Sequence, residues 1–193
     1  MQENDLSAGL PAPLARFVSG VNALLEGDDD EGTLLPGVGE AMRALVATDD
    51  WLAPELARPH PQYYQQYLLY ADPHDRFSVV SFVWGPGQHT PIHDHTVWGV
   101  IGMLRGEELA QNYRIAADGT PEPVGGEIRL SPGAVEFVSP TVGDVHKVRN
   151  ALDDRVSVSV HAYGANIGRV KRHVFPPEGG APKEFISGYS NAE

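Results

Sequence analysis

From residue 63 onward the chain is a succession of short segments rich in β-branched and aromatic residues. Clusters of Gly, Pro, Asn and Asp separate these segments at intervals of roughly ten residues. The segments are YYQQYLLY, RFSVVSFVWG, VWGVIGMLRGEELAQNYRI, GEIRLSPGAVEFVSP, DVHKVRNA and RVSVSVHAYG. Short strands and turns at this spacing are typical of an all-β sandwich or barrel. The sequence therefore predicts a mainly β fold for residues 63–193, with an irregular C-terminal extension along the barrel.

The pattern of apolar residues in the first 62 residues predicts helices instead. Apolar residues recur there near the 3.6-residue helical period in two stretches. They are Leu14, Phe17, Val18, Val21 and Leu24 in the first stretch and Val38, Met42 and Leu45 in the second. We expect residues 1–62 to form a helical segment packed on the barrel of residues 63–193, the two parts making one structural domain. The acidic run at 26–32 is expected to be a solvated loop between the helices.

Two histidines stand one residue apart in a stretch with strand character, GQHTPIHDHTVWGVIGMLRG. Side chains two residues apart on a strand face the same way, so His93 and His95 project together and Asp94 faces away. Two imidazoles on one barrel wall can chelate a divalent ion if a neighbouring strand supplies a third ligand. The chain has no Cys, which excludes disulfides and thiolate ligands. The candidates for the third ligand are His89, His146, His161, Glu107, Glu108 and Glu136.

The spacing around these histidines resembles the two motifs of the cupin superfamily. The matching residues are Gly87, His93, His95, Gly99 and Gly106 in the first motif and Pro140, Gly143, His146 and Asn150 in the second. The resemblance implies a cupin fold, a small β-barrel or jelly roll, in which His93, His95 and His146 bind a metal ion. The first motif ordinarily carries a Glu where this chain has Gly99. A site of three neutral imidazoles leaves the ion its full charge, so the site should attract anionic ligands such as thiolates and carboxylates.

Within the cupins, replacement of that Glu is a feature of thiol dioxygenases, and a second pattern resembles the same family. In SVSVHAYG, Ser159, His161 and Tyr163 share one face of a strand and the Val residues share the other. A polar row inside a barrel must be hydrogen-bonded, although the same pattern also fits a strand face exposed to water. The resemblance implies a Ser159–His161–Tyr163 relay with the Tyr hydroxyl near the metal. The Cys–Tyr cross-link of animal cysteine dioxygenases cannot form here, because the chain has Gly99 at the Cys position and no Cys elsewhere.

The sequence identifies the residues that would bind the substrate less specifically than it identifies the metal ligands. Cysteine-specific members carry an Arg in a Tyr-x-Arg context on an early strand, and the stretch YQQYLL has Gln66 there, or Gln65 if the register slips by one. A Gln resembles the bacterial branch called 3-mercaptopropionate dioxygenase, which takes its Arg from beyond the Ser-His-Tyr strand. Arg169 and Arg172 follow that strand, and their spacing from the Tyr favours Arg172. A guanidinium can bind a carboxylate through two hydrogen bonds, whereas a Gln donates one neutral bond.

The resemblance implies a non-haem Fe(II) thiol dioxygenase. Such an enzyme adds both atoms of O₂ to the sulfur of a small carboxylate-bearing thiol, here with 3-mercaptopropionate preferred, and yields a sulfinate. Nitrogen ligands also suit Zn, Ni and Cu, so Fe(II) follows from the implied use of O₂. The alternatives are a cysteine dioxygenase acting on L-cysteine, a non-oxidative metal-dependent cupin isomerase or lyase, and a ligand-binding cupin without catalysis. Mercaptosuccinate and cysteamine are further candidate thiols.

Charge and hydropathy narrow the range of partners. The net charge of −12 argues against a nucleic acid, whose phosphates would be repelled. No apolar run approaches the ~20 residues that a membrane span needs. The N-terminus has no basic region followed by an apolar core, so we expect no secretory signal and a cytoplasmic location. The expected partners are the thiol substrate and O₂, with no protein partner evident.

Overall fold

The computed structural model describes residues 9–27 and 30–192, and its first two elements are helices. Helix α1 spans Ala12–Leu25 and helix α2 spans Glu31–Leu45. Both bury the apolar stripe that the sequence predicts, with Phe17 and Val21 on α1 and Met42 on α2 among the buried residues. The acidic run at 26–32 is not wholly a loop, because its last two residues form the first turn of α2. Residues 28 and 29 of that run lie outside the described residues.

The described residues form eleven strands in two antiparallel sheets. They are β1 (Gln65–Ala71), β2 (Ser78–Trp84), β3 (Ile92–His93), β4 (Gly99–Arg105), β5 (Glu108–Ile115), β6 (Pro121–Leu130), β7 (Val135–Val138), β8 (His146–Asn150), β9 (Ser157–Tyr163), β10 (Arg172–Phe175) and β11 (Lys183–Phe185). The five-stranded sheet has the order β1-β2-β9-β4-β7, and the six-stranded sheet has the order β11-β10-β3-β8-β5-β6. The predicted mainly β architecture with N-terminal helices is thereby confirmed.

The five-stranded sheet is covered on both faces, which explains why β2 and β9 are buried along their whole length. On β9, Val158 and Val160 face outward and join the apolar cluster that contains the helix residues. The helices approach this face closely, since a Cβ atom at Gly102 of β4 would lie 2.6 Å from Cγ of Met42. The other face of β9 points into the barrel. The helical layer therefore leaves the polar row of β9 inside the protein.

The C-terminal extension bridges the free edges of the two sheets. Strand β11 pairs with β10 at the edge of the six-stranded sheet. Farther on, Ser190 N donates to Gln66 O at 2.7 Å, and Asn191 exchanges hydrogen bonds with the backbone of Leu68 on β1. This segment thus lies across one side of the barrel, between β10 and β1. Within the part of the chain described here, no helix is both long and apolar enough to cross a membrane.

Candidate active site

Three imidazoles meet inside the barrel. His93 on β3 is the direct cross-strand partner of His146 on β8, and His95 follows two residues after His93. The ring centroids of the three residues lie 4.8 to 4.9 Å apart, and one nitrogen of each ring lies within 4.8 Å of the others. All three side chains are buried. The other candidates for the third ligand do not join this cluster: they are His89, His161, Glu107, Glu108 and Glu136.

His95 reaches this position by a different route from the one that the sequence predicts. Strand β3 ends at His93, so strict strand alternation does not orient His95. Asp144 orients it instead, because its carboxylate accepts hydrogen bonds from the backbone N–H groups of His95 (3.0 Å) and Thr96 (2.9 Å). Thr96 has a φ of +61°, an uncommon value for a β-branched residue, which turns the chain directly after the second imidazole.

The hydrogen bonds of the imidazoles define which nitrogen is free to bind. Nδ1 of His93 donates to the carbonyl of Pro91 at 3.1 Å, and Nδ1 of His95 lies 3.2 Å from the carbonyl of Asp144. A carbonyl only accepts, so each Nδ1 carries the proton and each Nε2 keeps its lone pair. Carbonyl and carboxylate groups behind metal-binding histidines commonly fix the tautomer in this way.

The three residues fit a metal ion. Burial, followed by the neighbouring imidazoles, holds the pKa of His93 and that of His146 well below the ordinary value, which favours the neutral form that metals bind. Nε2 of His95 is buried without a hydrogen-bond partner. Buried polar atoms are rarely left unpaired, so this nitrogen indicates a missing ligand.

Asp94 faces away from the imidazoles, as strand alternation predicts. Its carboxylate accepts from the backbone N–H and from Nδ1 of His173 on β10, each at 2.7 Å. The partner of the Asp94 carboxylate is therefore a residue of a neighbouring strand. This contact ties β3 to β10 and so connects the imidazoles with the strand that carries Arg172.

Ser159, His161 and Tyr163 form a continuous hydrogen-bonded chain on β9. Ser159 Oγ lies 2.8 Å from His161 Nε2, and His161 Nδ1 lies 2.8 Å from the Tyr163 hydroxyl. All three are at most 3% exposed, so the alternative of a strand face open to water is wrong. Burial lowers the pKa of His161 and raises the pKa of Tyr163, so both side chains are neutral. The Tyr163 ring stacks on the ring of His95 with centroids 5.4 Å apart, which brings this relay to the metal site.

Glu108 on β5, in the opposite sheet, is a further buried carboxyl group. It is 1% exposed, and its Oε1 atom has no hydrogen-bond partner within the described residues. Burial raises the pKa of Glu108 to about 7. The sequence indicated Glu108 only as a candidate metal ligand, and its full burial outside the imidazole cluster was not predicted.

A small cavity of about 250 Å³ opens beside His93. Its lining residues are Tyr64, Gln66, Phe82, Thr90, Pro91, His93, Arg172, Val174, Phe185 and Ser187. Phe185 and Ser187 belong to the C-terminal extension, which sequence reasoning had not connected with the site. Such a cavity suits a ligand of a few heavy atoms rather than a drug-sized one.

Arg172 is the cationic residue of this cavity. It is 3% exposed, its guanidinium lies 4.7 Å from the centroid of the Phe185 ring, and its Nη2 donates to Ser187 Oγ at 2.7 Å. Its Nε is buried without a hydrogen-bond partner. It forms no ion pair with a carboxylate of residues 9–27 or 30–192. A buried cation without a counter-ion is costly, so the site calls for an anionic ligand.

The structure brings Gln66 and Arg172 together and leaves the alternatives outside the cavity. Nε2 of Gln66 donates to Ser187 Oγ (3.2 Å) and to the carbonyl of Gly188 (3.1 Å). The Gln66 amide therefore also holds the C-terminal extension in place. Gln65 donates to the carbonyl of its neighbour Tyr64. Arg169 has a 75% exposed side chain that lies 3.6 Å from Asp75.

Comparison with known proteins places this arrangement in a family. The family model of cysteine dioxygenase type I matches residues 54–174, well over half of the chain. The chain belongs to the cysteine dioxygenase type I family. The matched range includes the three imidazoles, the Ser159–His161–Tyr163 relay and Arg172. Membership indicates a thiol dioxygenase of the cysteine dioxygenase type, and together with the imidazoles it indicates a metal ion.

Three solved structures are similar to parts of this cysteine dioxygenase family member. A conserved protein with a double-stranded β-helix domain from Klebsiella pneumoniae is 18% identical over 66% of this chain and 98% of its own, with a TM-score of 0.50. A cupin-like protein from Thermotoga maritima is 22% identical over 52% and 67%, with a TM-score of 0.42. An RmlC-like cupin protein from Desulfovibrio desulfuricans is 23% identical over 55% and 87%, also with a TM-score of 0.42. The first likeness confirms the double-stranded β-helix, or cupin, fold.

Proposed function

We propose that this protein is an Fe(II)-dependent thiol dioxygenase that prefers 3-mercaptopropionate. The observation that carries the proposal is the position of Arg172, a buried guanidinium without a counter-ion in a small cavity beside His93. A short thiol with a carboxylate at its other end matches this pair of features. Its carboxylate would bind Arg172 and its sulfur would lie at the three imidazoles.

The Arg172 guanidinium suits a carboxylate because two of its N–H groups can donate to both oxygens at once. The buried Nε atom still lacks a partner. Ser187 already accepts from Nη2, and the Phe185 ring lies against the guanidinium, so the group is held before the ligand arrives. A group that is already positioned loses little conformational entropy on binding.

The lining of the cavity favours 3-mercaptopropionate over L-cysteine. The two thiols differ by the α-ammonium group of cysteine. None of the residues that line the cavity within the described chain is an Asp or Glu that could pair with an ammonium. The ammonium would also approach the Arg172 cation in a buried site, where like charges repel strongly. The thiol without an amine avoids this cost.

The residues of this chain have separate roles in the proposed reaction. His93, His95 and His146 would hold the iron. Iron(II), when bound, supplies the redox chemistry by which O₂ reacts with a thiol. In that reaction the O–O bond breaks, two S–O bonds form, and sulfur loses the four electrons that O₂ gains. Tyr163 would donate a hydrogen bond at the reacting atoms, and His161 and Ser159 would hold its hydroxyl.

Oxygen uptake by the Fe(II)-loaded protein tests the proposal across four thiols: 3-mercaptopropionate, L-cysteine, mercaptosuccinate and cysteamine. We expect 3-mercaptopropionate to have the highest kcat/KM and cysteamine, which has no carboxylate, the lowest. A preference for L-cysteine would identify a cysteine dioxygenase instead. Turnover that proceeds equally well without O₂ would identify a non-oxidative metal enzyme and refute the proposal.

A further inference from the structure

Two groups of the C-terminal extension hold the guanidinium of Arg172. Phe185 is the cross-strand partner of Arg172 on β11, and the centroid of its ring lies 4.7 Å from the guanidinium carbon. Ser187 Oγ accepts a hydrogen bond of 2.7 Å from Nη2 of the same group. The orientation of this cation therefore depends on where the extension lies.

The side-chain amide of Gln66 already uses both of its protons on that extension. Its Nε2 atom donates to Ser187 Oγ at 3.2 Å and to the carbonyl of Gly188 at 3.1 Å. A carbonyl oxygen only accepts, so the amide atom that faces Gly188 is the nitrogen. The remaining amide oxygen cannot bind a carboxylate, because both groups only accept. Gln66 therefore lines the cavity without an N–H group for an anionic ligand.

Ser187 is the link between Gln66 and Arg172. A hydroxyl oxygen has two lone pairs. One accepts from Nη2 of Arg172 and the other from Nε2 of Gln66. The residue is exposed, so its own proton can go to water. A shift of the Gln66 amide is thus passed to the guanidinium through a single shared oxygen atom.

We propose that Gln66 and Ser187 are positioning residues that orient the Arg172 guanidinium for a carboxylate, with Gln66 acting through Ser187 and not by contact with the substrate. The C-terminal extension then determines the selectivity for carboxylate-bearing thiols. The inference rests on the proposed function for its effect on substrate choice. The guanidinium and its two supports belong to the protein without any substrate.

The extension has other anchors, so these side chains can be changed without releasing it. The backbone N–H of Gly188 donates to the carbonyl of Gly168 at 3.0 Å. The hydroxyl of Tyr189 accepts from the backbone N–H of Gly168 at 2.9 Å. Neither bond uses the side chain of Gln66 or Ser187. Substitution at these two positions should therefore alter the orientation of the guanidinium while the extension stays in place.

Titration calorimetry of the Fe(II)-loaded protein under argon measures ligand binding without turnover. We expect Ser187→Ala and Gln66→Leu each to raise the Kd of 3-mercaptopropionate about three- to tenfold, since an ordered side chain is worth about 0.5–1.5 kcal/mol on binding. The Kd of ethanethiol, which has no carboxylate, should not change. Equal changes for the two thiols would indicate a general loosening of the site and would overturn the inference.

Two further variants separate the role of the Ser187 hydroxyl from a general effect of altering the extension. Ser187→Thr keeps a hydroxyl and should bind 3-mercaptopropionate about as the wild type does. Ser190→Ala is the matched control, because its hydroxyl accepts from the backbone N–H of Gln66 and does not line the cavity beside His93. A loss of affinity in Ser190→Ala as large as that in Ser187→Ala would contradict the proposed role.

A double-mutant cycle distinguishes positioning by Gln66 from direct contact with the ligand. Because Gln66 acts through Ser187, Gln66→Leu should cause no further loss of affinity in a Ser187→Ala background. Two losses that multiply in the double variant would show that Gln66 contacts the ligand itself, and the inference would be wrong.

Propionate, which has the carboxylate but no thiol, keeps this test separate from the proposed function. We expect it to bind the wild type and to bind Ser187→Ala and Gln66→Leu more weakly. If no thiol supports O₂ uptake, the proposed function fails, yet the propionate result still decides whether the two residues serve a carboxylate site. Propionate that binds the wild type and Ser187→Ala equally, or binds neither, would overturn the inference even if thiols are oxidised.

Discussion

Tyr163 lies directly opposite Gly99 in the antiparallel pairing of β9 with β4. A Cβ atom at Gly99 would lie 3.0 Å from the Tyr163 ring and 2.8 Å from Cγ2 of Val138. The Tyr163 ring therefore takes up the space that a side chain at position 99 would need. The absence of the carboxylate from the first motif and the placement of the Tyr163 hydroxyl are thus two results of one packing arrangement.

Adding a methyl group at this position should displace Tyr163. Over-packing of this kind typically costs about 1–3 kcal/mol of stability. We expect Gly99→Ala to lower kcat roughly tenfold or more while iron content stays near that of the wild type, since loss of a positioned proton donor commonly costs 10²–10⁴-fold. Tyr163→Phe gives the reference value. Gly126→Ala is the matched control, because a Cβ atom there meets nothing within 4 Å. Wild-type kcat in Gly99→Ala would contradict the packing argument.

Loss of one imidazole or of its support should weaken metal binding to different degrees. His146→Ala removes a ligand and should abolish stoichiometric iron binding. Asp144→Ala leaves the imidazoles but removes the carboxylate that orients His95, which should weaken metal affinity about 10–100-fold. Metal analysis and a competition titration with a chelator measure both effects, and the exposed His89→Ala is the control. Stoichiometric iron in His146→Ala would refute the ligand assignment.

Removal of the Arg172 guanidinium should lower kcat/KM for thiols that have a carboxylate more than for thiols that have none. We expect Arg172→Ala to lower kcat/KM for 3-mercaptopropionate about 10–100-fold, since a hydrogen bond to a charged group is worth about 1.5–3 kcal/mol. The effect on cysteamine should be much smaller. Steady-state oxygen uptake with both thiols checks this, with Arg169→Ala as the surface control. Equal losses for the two thiols would show that Arg172 does not bind the carboxylate.

The raised pKa of Glu108 also makes a prediction about stability. The folded protein holds this proton up to a pH of about 7, whereas the unfolded chain releases it near 4.5. Its contribution to stability is therefore full below 4.5 and is lost as the pH rises to about 7. The difference amounts to at most about 3.5 kcal/mol, since a change of one in pKa is worth about 1.4 kcal/mol.

Glu108→Gln tests this contribution because its amide stays neutral at every pH. We expect the free energy of unfolding of the variant to rise relative to that of the wild type as the pH increases from about 5 to about 8. Urea unfolding at several pH values measures the difference, with Glu107→Gln as the control. Parallel pH curves for Glu108→Gln and the wild type would show that Glu108 is ionised in the folded protein at low pH.

Features of the site that depend on local periodicity could be predicted from the sequence. The alternation along β9 places Ser159, His161 and Tyr163 on one face, and the structure finds them hydrogen-bonded there. The motifs around His93, His95 and His146 resemble those of the cupins, and the cluster that this resemblance implies is present, since the three rings meet. In these cases the signal lies within a strand or a short motif.

Features that depend on distant contacts could not be predicted in this way. Glu107 and Glu108 follow the turn at Gly106, and nothing in the sequence distinguishes the half-buried Glu107 from the fully buried Glu108. Asp144 acts through hydrogen bonds to residues 48 and 49 positions away. Ser187 meets Gln66 across 121 positions. Such contacts depend on how the two sheets and the C-terminal extension pack together, and the periodicity of the sequence does not predict that packing.

Isotope labelling of the product tests the central claim most directly. The Fe(II)-loaded protein is supplied with 3-mercaptopropionate under ¹⁸O₂, and the product is analysed by mass spectrometry. If the protein is a thiol dioxygenase, both sulfinate oxygens carry the label and one O₂ is consumed for each thiol. A product with one labelled oxygen, a disulfide as the sole product, or no consumption of O₂ would contradict this account.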